Sequence, residues 1–234
     1  MSGVFRKEMG QYFRSLAGYV FIAMFLALSG VLFLTVNLLP QNGDIKAFYG
    51  VTTILCMLLL PILTMRLFAD ERRQKTDELL LTAPVSLTAI VTGKFFAAFI
   101  VFLLSLCLTL MYPLVLYCFG VSALWVTMGN FLGMALLGAA LIAIGLFLSM
   151  QTESQFVAAV LTYGFFALLF LAGSAGGFAG AAALGGLLHF LAIAEHFQGL
   201  SYGVFPLVEL VYYLSITALF LFLGVHTLER RRLA

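Results

Sequence analysis

The chain contains apolar runs that are too long and too uniform for a water-soluble fold. No charged residue occurs between Phe95 and Thr152, whereas a membrane-spanning helix needs about 20 consecutive, mostly apolar residues. Charged residues make up only 9% of the chain and hydrophobic residues make up 63%. This composition leaves too little polar surface to cover a soluble domain. The sequence therefore indicates an integral membrane protein.

The apolar runs predict a single all-α membrane domain over 1–234, with six spanning helices. The long run after Lys94 accommodates two spans, with a turn at 120–130 around Trp125. A further segment, 179–206, follows a glycine-rich stretch and is expected to form a re-entrant helical hairpin on the outer side. The predicted spans are 17–39, 47–68, 88–119, 130–150, 155–178 and 207–228.

The distribution of basic residues predicts the orientation of these spans. If the chain crosses the membrane six times, every lysine and arginine except Lys46 falls on the side that carries both termini. Basic residues are concentrated in cytoplasmic loops of membrane proteins. We therefore expect both termini in the cytoplasm and Lys46 on the outside.

The N-terminal residues 1–16 predict a short amphipathic helix. Phe5, Met9, Tyr12 and Phe13 recur at helical spacing, while most of the nearby basic residues fall on another face. Such a helix is expected to lie on the cytoplasmic surface of the membrane. The alternative is a frayed tail that only fixes the topology.

A dense charged segment, 70–84, separates the second span from the third. Thr76 can cap a helix whose first turn carries Asp77 and Glu78, because acidic side chains suit the positive end of the helix dipole. Pro84 ends such a helix after about two turns. On the residues alone, two interpretations stay open: a surface that docks a soluble partner, and a solvated loop whose charges only keep it in the cytoplasm.

Residues in and after this segment follow the order of a known motif. In that motif an acidic pair precedes Gly-Thr-x-Glu-Leu-Leu, which is followed by Pro-Val-Ser or Pro-Ile-Ser and, further on, by Gly-Lys. The matching residues are Glu71, Thr76, Glu78, Leu79, Leu80, Pro84, Val85, Ser86, Gly93 and Lys94. This series resembles the loop of ABC-2-type permeases, the membrane subunits of ABC transporters. Lys75 departs from the pattern, because the family usually has glycine there.

The C-terminal part carries a second group of matching residues. They are Glu195-His196-Phe197, Gly203-Val204, Val208-Glu209, Tyr212-Tyr213-Leu214-Ser215 and Glu229-Arg230-Arg231-Arg232. They resemble the closing segment of the branch that includes the gliding-motility permeases and the permease of nitrous-oxide-reductase maturation. Tyr202 departs from that pattern, since a basic residue is expected before Gly203.

The resemblance implies a function for the charged segment. In ABC-2-type permeases this loop is a coupling helix that docks on a cytosolic ABC ATPase dimer, and a second permease copy, identical or related, completes the pore. The chain is then expected to be an exporter subunit that moves a substrate, or transmits force, across the bacterial inner membrane. The residues implied in ATPase coupling are Glu71, Arg72, Arg73, Thr76, Glu78, Leu79, Leu80 and Pro84.

The chain shows no ATP-binding motif of its own. A phosphate-binding loop needs glycine five residues before Gly-Lys and serine or threonine after it, but Thr88 and Phe95 occupy these positions around Gly93-Lys94. We therefore expect no enzyme activity and no cofactor in this chain, with ATP and Mg bound by the partner subunit. The bilayer and a periplasmic accessory protein are further expected partners, and nucleic acid is not.

The alternative function is a secondary transporter that works without an ATPase. Such proteins normally show ionisable residues near the middle of the bilayer, or repeated halves with broken helices. Arg66 and Lys94 instead lie near the ends of predicted spans, and we find no internal repeat. A neighbouring ATPase gene would favour the permease.

A few polar residues are expected near the outer side. Glu195, His196 and Glu209 are candidates for the transport pathway or an outer gate, because ionisable groups at membrane depth are often functional. The alternative is that they lie at the outer water boundary. No metal site is expected, since His189 and His196 alone provide too few ligands. Glu153 is interpreted as part of a polar cytoplasmic turn rather than as a second ATPase contact.

Overall fold

The computed structural model describes residues 2–14, 16–73, 86–120, 124–175, 192–193, 196–197, 199 and 207–233. This part of the chain is helical and contains no β-strand. Its helices are α1 (Ser2–Arg14), α2 (Leu16–Phe33, continued by a π-helical turn at Leu34–Leu38), α3 (Ile45–Thr64), α4 (Arg66–Arg73), α5 (Leu87–Leu108), α6 (Met111–Cys118), α7 (Leu124–Ser149), α8 (Gln155–Ala175) and α9 (Leu207–Leu233).

Six stretches of the described chain are long and apolar enough to cross a membrane. They are Leu16–Leu38, Ile45–Arg73, Leu87–Cys118, Leu124–Ser149, Gln155–Ala172 and Leu207–Arg232. The described residues thus confirm an all-helical architecture with six candidate membrane-spanning helices. The proposed outer hairpin at 179–206 falls almost entirely outside the described residues.

The turn between the third and fourth spans is shorter than the sequence predicts. Gly120 has a φ of 86° and follows the last turn of α6, where a left-handed glycine commonly ends a helix. The next helix begins at Leu124, so Trp125 lies in its first turn rather than in the predicted turn at 120–130. The prediction placed the boundary too late because apolar residues such as Trp125 carry no stop signal.

Helix α7 lies at the centre of the bundle and packs against α3, α5, α8 and α9. Two of its glycines allow close approach. A Cβ atom added to Gly138 would overlap the ring of Phe102 on α5, and one added to Gly145 would overlap the side chain of Thr64 on α3. The backbone of α7 is therefore packed directly against its neighbours.

The N-terminal residues form a packed helix rather than a frayed tail. Helix α1 contacts α5 and α2, and Tyr12 is buried, with its hydroxyl donating to the carbonyl of Leu63 at 3.2 Å. Burial, reinforced by the nearby Glu8 carboxylate and opposed by Arg66, raises the pKa of Tyr12, so this phenol stays a neutral donor. Helix α1 thus joins the bundle beside α3 and α4.

Helices α4 and α5 bracket the charged segment. Helix α4 packs against α7 and α8 and ends at Arg73. Helix α5 begins at Leu87, where the Ser86 hydroxyl accepts the backbone N–H of Ala89 at 3.4 Å and caps the helix. Both ends of the segment 74–85 are therefore attached to packed helices.

Candidate functional site

Lys94 lies in the first half of α5 and its side chain is only 1% exposed. Its ammonium Nζ donates to Glu8 Oε1 at 2.9 Å and to the carbonyl of Leu67 at 2.8 Å, and pairs with Glu71 Oε2 at 3.0 Å. An ammonium has three protons to donate. Two hydrogen bonds and one close ion pair thus surround the ammonium, which compensates for the removal of this charge from water.

The electrostatic surroundings of Lys94 are completed by two weaker contacts. The more exposed Lys7 ammonium reaches Glu71 Oε1 at 3.5 Å, so that Glu71 lies between two cations. The ring of Phe68 has its centroid 4.9 Å from the Lys94 ammonium, within the range of a cation–π contact. Two acidic groups and two lysines therefore balance their charges here.

This cluster joins three helices near the end of the bundle that carries both termini. We call Glu8, Leu67, Glu71 and Lys94 the Lys94 junction; they belong to α1, α4, α4 and α5, respectively. Glu71 lies just before the segment 74–85 and Lys94 lies shortly after it. One buried ionic cluster therefore anchors both sides of that segment to the N-terminal helix.

Arg72 extends this arrangement to the turn between α7 and α8. Its guanidinium donates to the carbonyl of Met150 at 3.1 Å and to Glu153 Oε1 at 2.9 Å. The same Met150 carbonyl accepts a hydrogen bond from Arg231 at the end of α9. Glu153 lies in a polar turn, as predicted, and contacts the helix that leads into the charged segment.

A further contact at this end joins α4 to the start of α8. Gln155 donates through its side-chain amide to the carboxylate of Asp70. Arg73, the last residue of α4, is exposed. The helix that precedes the charged segment is therefore held through one face and leaves Arg73 accessible on another.

Five of the eight predicted coupling residues belong to the segment 74–85. Thr76, Glu78, Leu79, Leu80 and Pro84 lie outside the described residues, and their predicted roles stay predictions. The remaining three, Glu71, Arg72 and Arg73, lie at the end of α4.

His196 and Glu209, two of the three predicted outer residues, lie together. His196 Nδ1 is 2.6 Å from Glu209 Oε2, and the imidazole stacks on the Tyr212 ring with a centroid distance of 3.9 Å. Nearby, the Tyr213 hydroxyl donates to the carbonyl of Ile193 at 2.8 Å. Glu195 lies outside the described residues. These contacts attach the described residues of 192–197 to the first turns of α9.

No metal-binding cluster is present in the part of the chain that the structure describes, where no three His, Cys, Asp or Glu side chains converge. His196 and Glu209 are two groups, fewer than a structural metal site requires. Their geometry supports a positioning contact between two chain segments.

Sequence reasoning did not find Glu8 as a member of the site. Glu8 is the only acidic residue in the otherwise basic N-terminal helix, and Lys94 is the only cation of the third span. These two isolated charges were the available signal. Their pairing required knowledge of the fold, because 86 positions separate them in the chain.

The family of the chain is indicated by a comparison with known proteins. A family model described as "ABC-2 family transporter protein" matches residues 19–218. None of the curated proteins compared with the chain matches it. The matched range contains the charged segment, Lys94 and the turn at 150–154, whereas Glu8 lies before it.

Proposed function

Because the chain belongs to the ABC-2 family of transporter proteins, we propose that it is the membrane-spanning permease subunit of an ABC transporter. Members of this family usually pair with an ATPase subunit. In this proposal a cytosolic ATPase dimer binds ATP and Mg, and two permease copies form the pathway. The complex acts as an exporter or transmits force across the bacterial inner membrane, with both chain termini in the cytoplasm.

The observation that carries the proposal is the position of the Lys94 junction. In our proposal the segment 74–85 docks on the ATPase, with Thr76, Glu78, Leu79, Leu80 and Pro84 forming a short coupling helix. A docking element can transmit movement only if its ends are attached to the spans. Glu71 and Lys94 provide that attachment, since their contact is buried and joins the helices on both sides of the segment.

The route from this segment into the bundle runs through Arg72. Arg72 binds the turn that connects α7 with α8, and Arg231 binds the same turn from α9. Helix α7 in turn packs against most of the other spans. A displacement of α4 by the ATPase would therefore move the central helix, which is what switching between inward-facing and outward-facing states requires.

The branch of the family is proposed from the C-terminal resemblance. The residues around Glu195 to Phe197 and those of α9 favour the gliding-motility and nitrous-oxide-reductase maturation type, for which a periplasmic accessory protein is an expected partner. We propose that Glu195, His196 and Glu209 contribute to an outer gate. The contact between His196 and Glu209 supports this role, because it joins residues before α9 to α9 itself.

The experiment that tests the permease function is co-purification. The chain is co-expressed with the ATPase encoded nearest to it, with and without the double change Glu78→Arg and Leu80→Asp. We expect the ATPase to co-purify with the unmodified chain and the double variant to retain less than about a tenth of it, since charge reversal and a buried carboxylate each oppose docking.

A matched control places the same kinds of change at the opposite end of the bundle. Leu39→Asp with Gln41→Arg alters two exposed residues that follow the first span, and co-purification should be unchanged. Loss of binding in both double variants would indicate a general folding defect. If the unmodified chain bound no ATPase, the secondary transporter would become the better proposal.

A further inference from the structure

A polar cavity and an apolar groove adjoin at Arg66. The cavity, of about 170 Å³, lies beside the Lys94 junction, and the groove, of about 230 Å³, runs between α2 and α3. Tyr12, Ala17 and Arg66 line both of them. A charged side chain thus lies where a polar pocket meets an apolar surface. We call the groove residues Leu16, Val20, Met24, Leu59 and Ile62, together with Arg66, the Arg66 groove.

The apolar part of the Arg66 groove opens at the outer surface of the bundle. Leu16, Val20 and Met24 recur every four residues on one face of α2 and are exposed, as is Ile62 on α3. Both helices belong to stretches apolar enough to span a membrane. The groove is therefore accessible from the side, where the acyl chains of a bilayer would lie.

Arg66 is the exposed cation at the mouth of the cavity, which Glu8, Asp70, Glu71 and Lys94 also line. Lys94 is held by the other members of the Lys94 junction, and the Asp70 carboxylate accepts a hydrogen bond from the side chain of Gln155. Arg66 itself is exposed and shows no hydrogen bond or close ion pair to any described residue, although its charge interacts with the nearby Asp70 carboxylate. A guanidinium presents paired N–H donors in the geometry that a phosphate accepts.

Arg66 lies near the end of the candidate spanning stretch Ile45–Arg73, where a phospholipid headgroup is expected. It lies one helical turn after Ile62 and Leu63, at the point where the apolar part of α3 gives way to the charged residues of α4. The first span begins at Leu16, which lines the same groove. A lipid whose acyl chain follows α2 would therefore bring its phosphate close to Arg66.

We infer that the Arg66 groove binds one membrane phospholipid, with the phosphate on Arg66 and an acyl chain along Leu16, Val20 and Met24. The complementary charge of Arg66 and the phosphate selects this occupant over an uncharged lipid. The site needs neither an ATPase nor a transported substrate. Its test is therefore independent of the permease function proposed above.

The experiment compares two photoactivatable lipids in nanodiscs that contain the full chain. One is a phosphatidylglycerol with a diazirine in its acyl chain, and the other is a diacylglycerol with the same chain and no phosphate. Labelling of peptides from 16–24 and 58–63 is normalised to labelling of the exposed face of α9 around Leu219 and Phe222. We expect the phospholipid to label the groove about tenfold more than the diacylglycerol.

Three variants complete the design. Arg66→Gln should reduce groove labelling by the phospholipid to the level of the diacylglycerol. The matched control Arg14→Gln, which removes an exposed cation of α1 that lies outside the groove, should leave labelling unchanged. Val20→Trp should reduce labelling with Arg66 intact, because the indole fills the groove.

Two results would overturn the inference. Equal groove labelling by both lipids in the unmodified chain would mean that the groove holds only bulk bilayer lipid. A dimer that becomes monomeric in Val20→Trp would mean that a second copy of the chain, rather than a lipid, covers the groove. Size-exclusion profiles of the variants in detergent distinguish these outcomes from misfolding.

Discussion

At the scale of single residues, the buried Lys94 ammonium depends on its acceptors. Removing an ion from water costs several kcal/mol, and close partners offset this cost only when every donor is satisfied. Lys94 has such partners in Glu8 and the Leu67 carbonyl, which accept its hydrogen bonds, and in Glu71, with which it forms an ion pair. The sequence could show that charges are rare in this protein, and therefore informative, but it could not show which of them meet.

Replacing Lys94 should destabilise the protein strongly. Lys94→Met removes the cation of the buried Glu8 carboxylate and the nearer of the two lysines beside Glu71, and we expect the free energy of unfolding to fall by about 3–5 kcal/mol. The measurement is thermal or denaturant unfolding in detergent, followed by the fluorescence of Trp125. The control is Lys7→Met, which removes a half-exposed lysine with a 3.5 Å contact to Glu71 and should cost at most about 1 kcal/mol.

Neutralising the acidic partners tests the cause of that loss. Glu8→Gln and Glu71→Gln, added to Lys94→Met, remove the uncompensated charges and should recover part of the lost stability. If the triple variant were as unstable as the additive effects of its three changes, the ionic explanation for the Lys94 junction would be contradicted.

At the scale of helices, the apolar runs were sufficient to predict the number of spans, because bilayer thickness sets their length. Their ends were harder to predict. The sequence indicated a turn at 120–130, but one left-handed glycine, Gly120, allows a shorter turn. The break between α5 and α6 at Thr109 and Leu110 was not predicted either, since both flanking segments are equally apolar.

Close packing of α7 against α5 gives a prediction at this scale. Gly138→Ala introduces a methyl group that overlaps the Phe102 ring, so α5 and α7 must separate or the ring must move. We expect a loss of about 1–3 kcal/mol in the free energy of unfolding. The measurement is thermal unfolding of the purified chain in detergent.

Gly164→Ala is the matched control for this change. Gly164 lies on α8, and a Cβ atom there would meet nothing within 4 Å, so stability should be unchanged or rise slightly through the helix propensity of alanine. Equal destabilisation by both substitutions would argue against direct packing of α7 on Phe102.

At the scale of the whole molecule, contacts between distant segments connect the charged segment to the rest of the bundle. The sequence pointed to the segment 70–84 through its charge and its family resemblance. It could not predict that α1, the turn at 150–154 and the end of α9 meet beside α4, which leads into this segment, because these contacts join residues far apart in the chain. Arg72 and Glu153, for example, are 81 positions apart.

Arg72 should therefore affect coupling more than ATPase binding. Arg72→Gln weakens the contacts with Met150 and Glu153 but leaves the segment 74–85 unchanged. We expect the ATPase to co-purify normally with this variant, while stimulation of ATP hydrolysis by the permease falls about tenfold or more. The control is Arg232→Gln, which changes an exposed arginine of α9 and should leave stimulation unaltered. Normal stimulation in Arg72→Gln would contradict the proposed route through α7.

The most direct test of the account is site-specific crosslinking between the charged segment and the ATPase. A photoreactive amino acid replaces Leu80 in one variant and the exposed Leu39, at the opposite end of the bundle, in another; both are co-expressed with the neighbouring ATPase. If the ATPase docks on the segment 74–85, position 80 gives a permease–ATPase adduct and position 39 gives none. An adduct from both positions or from neither, in a complex that co-purifies, would contradict docking of the ATPase through this segment.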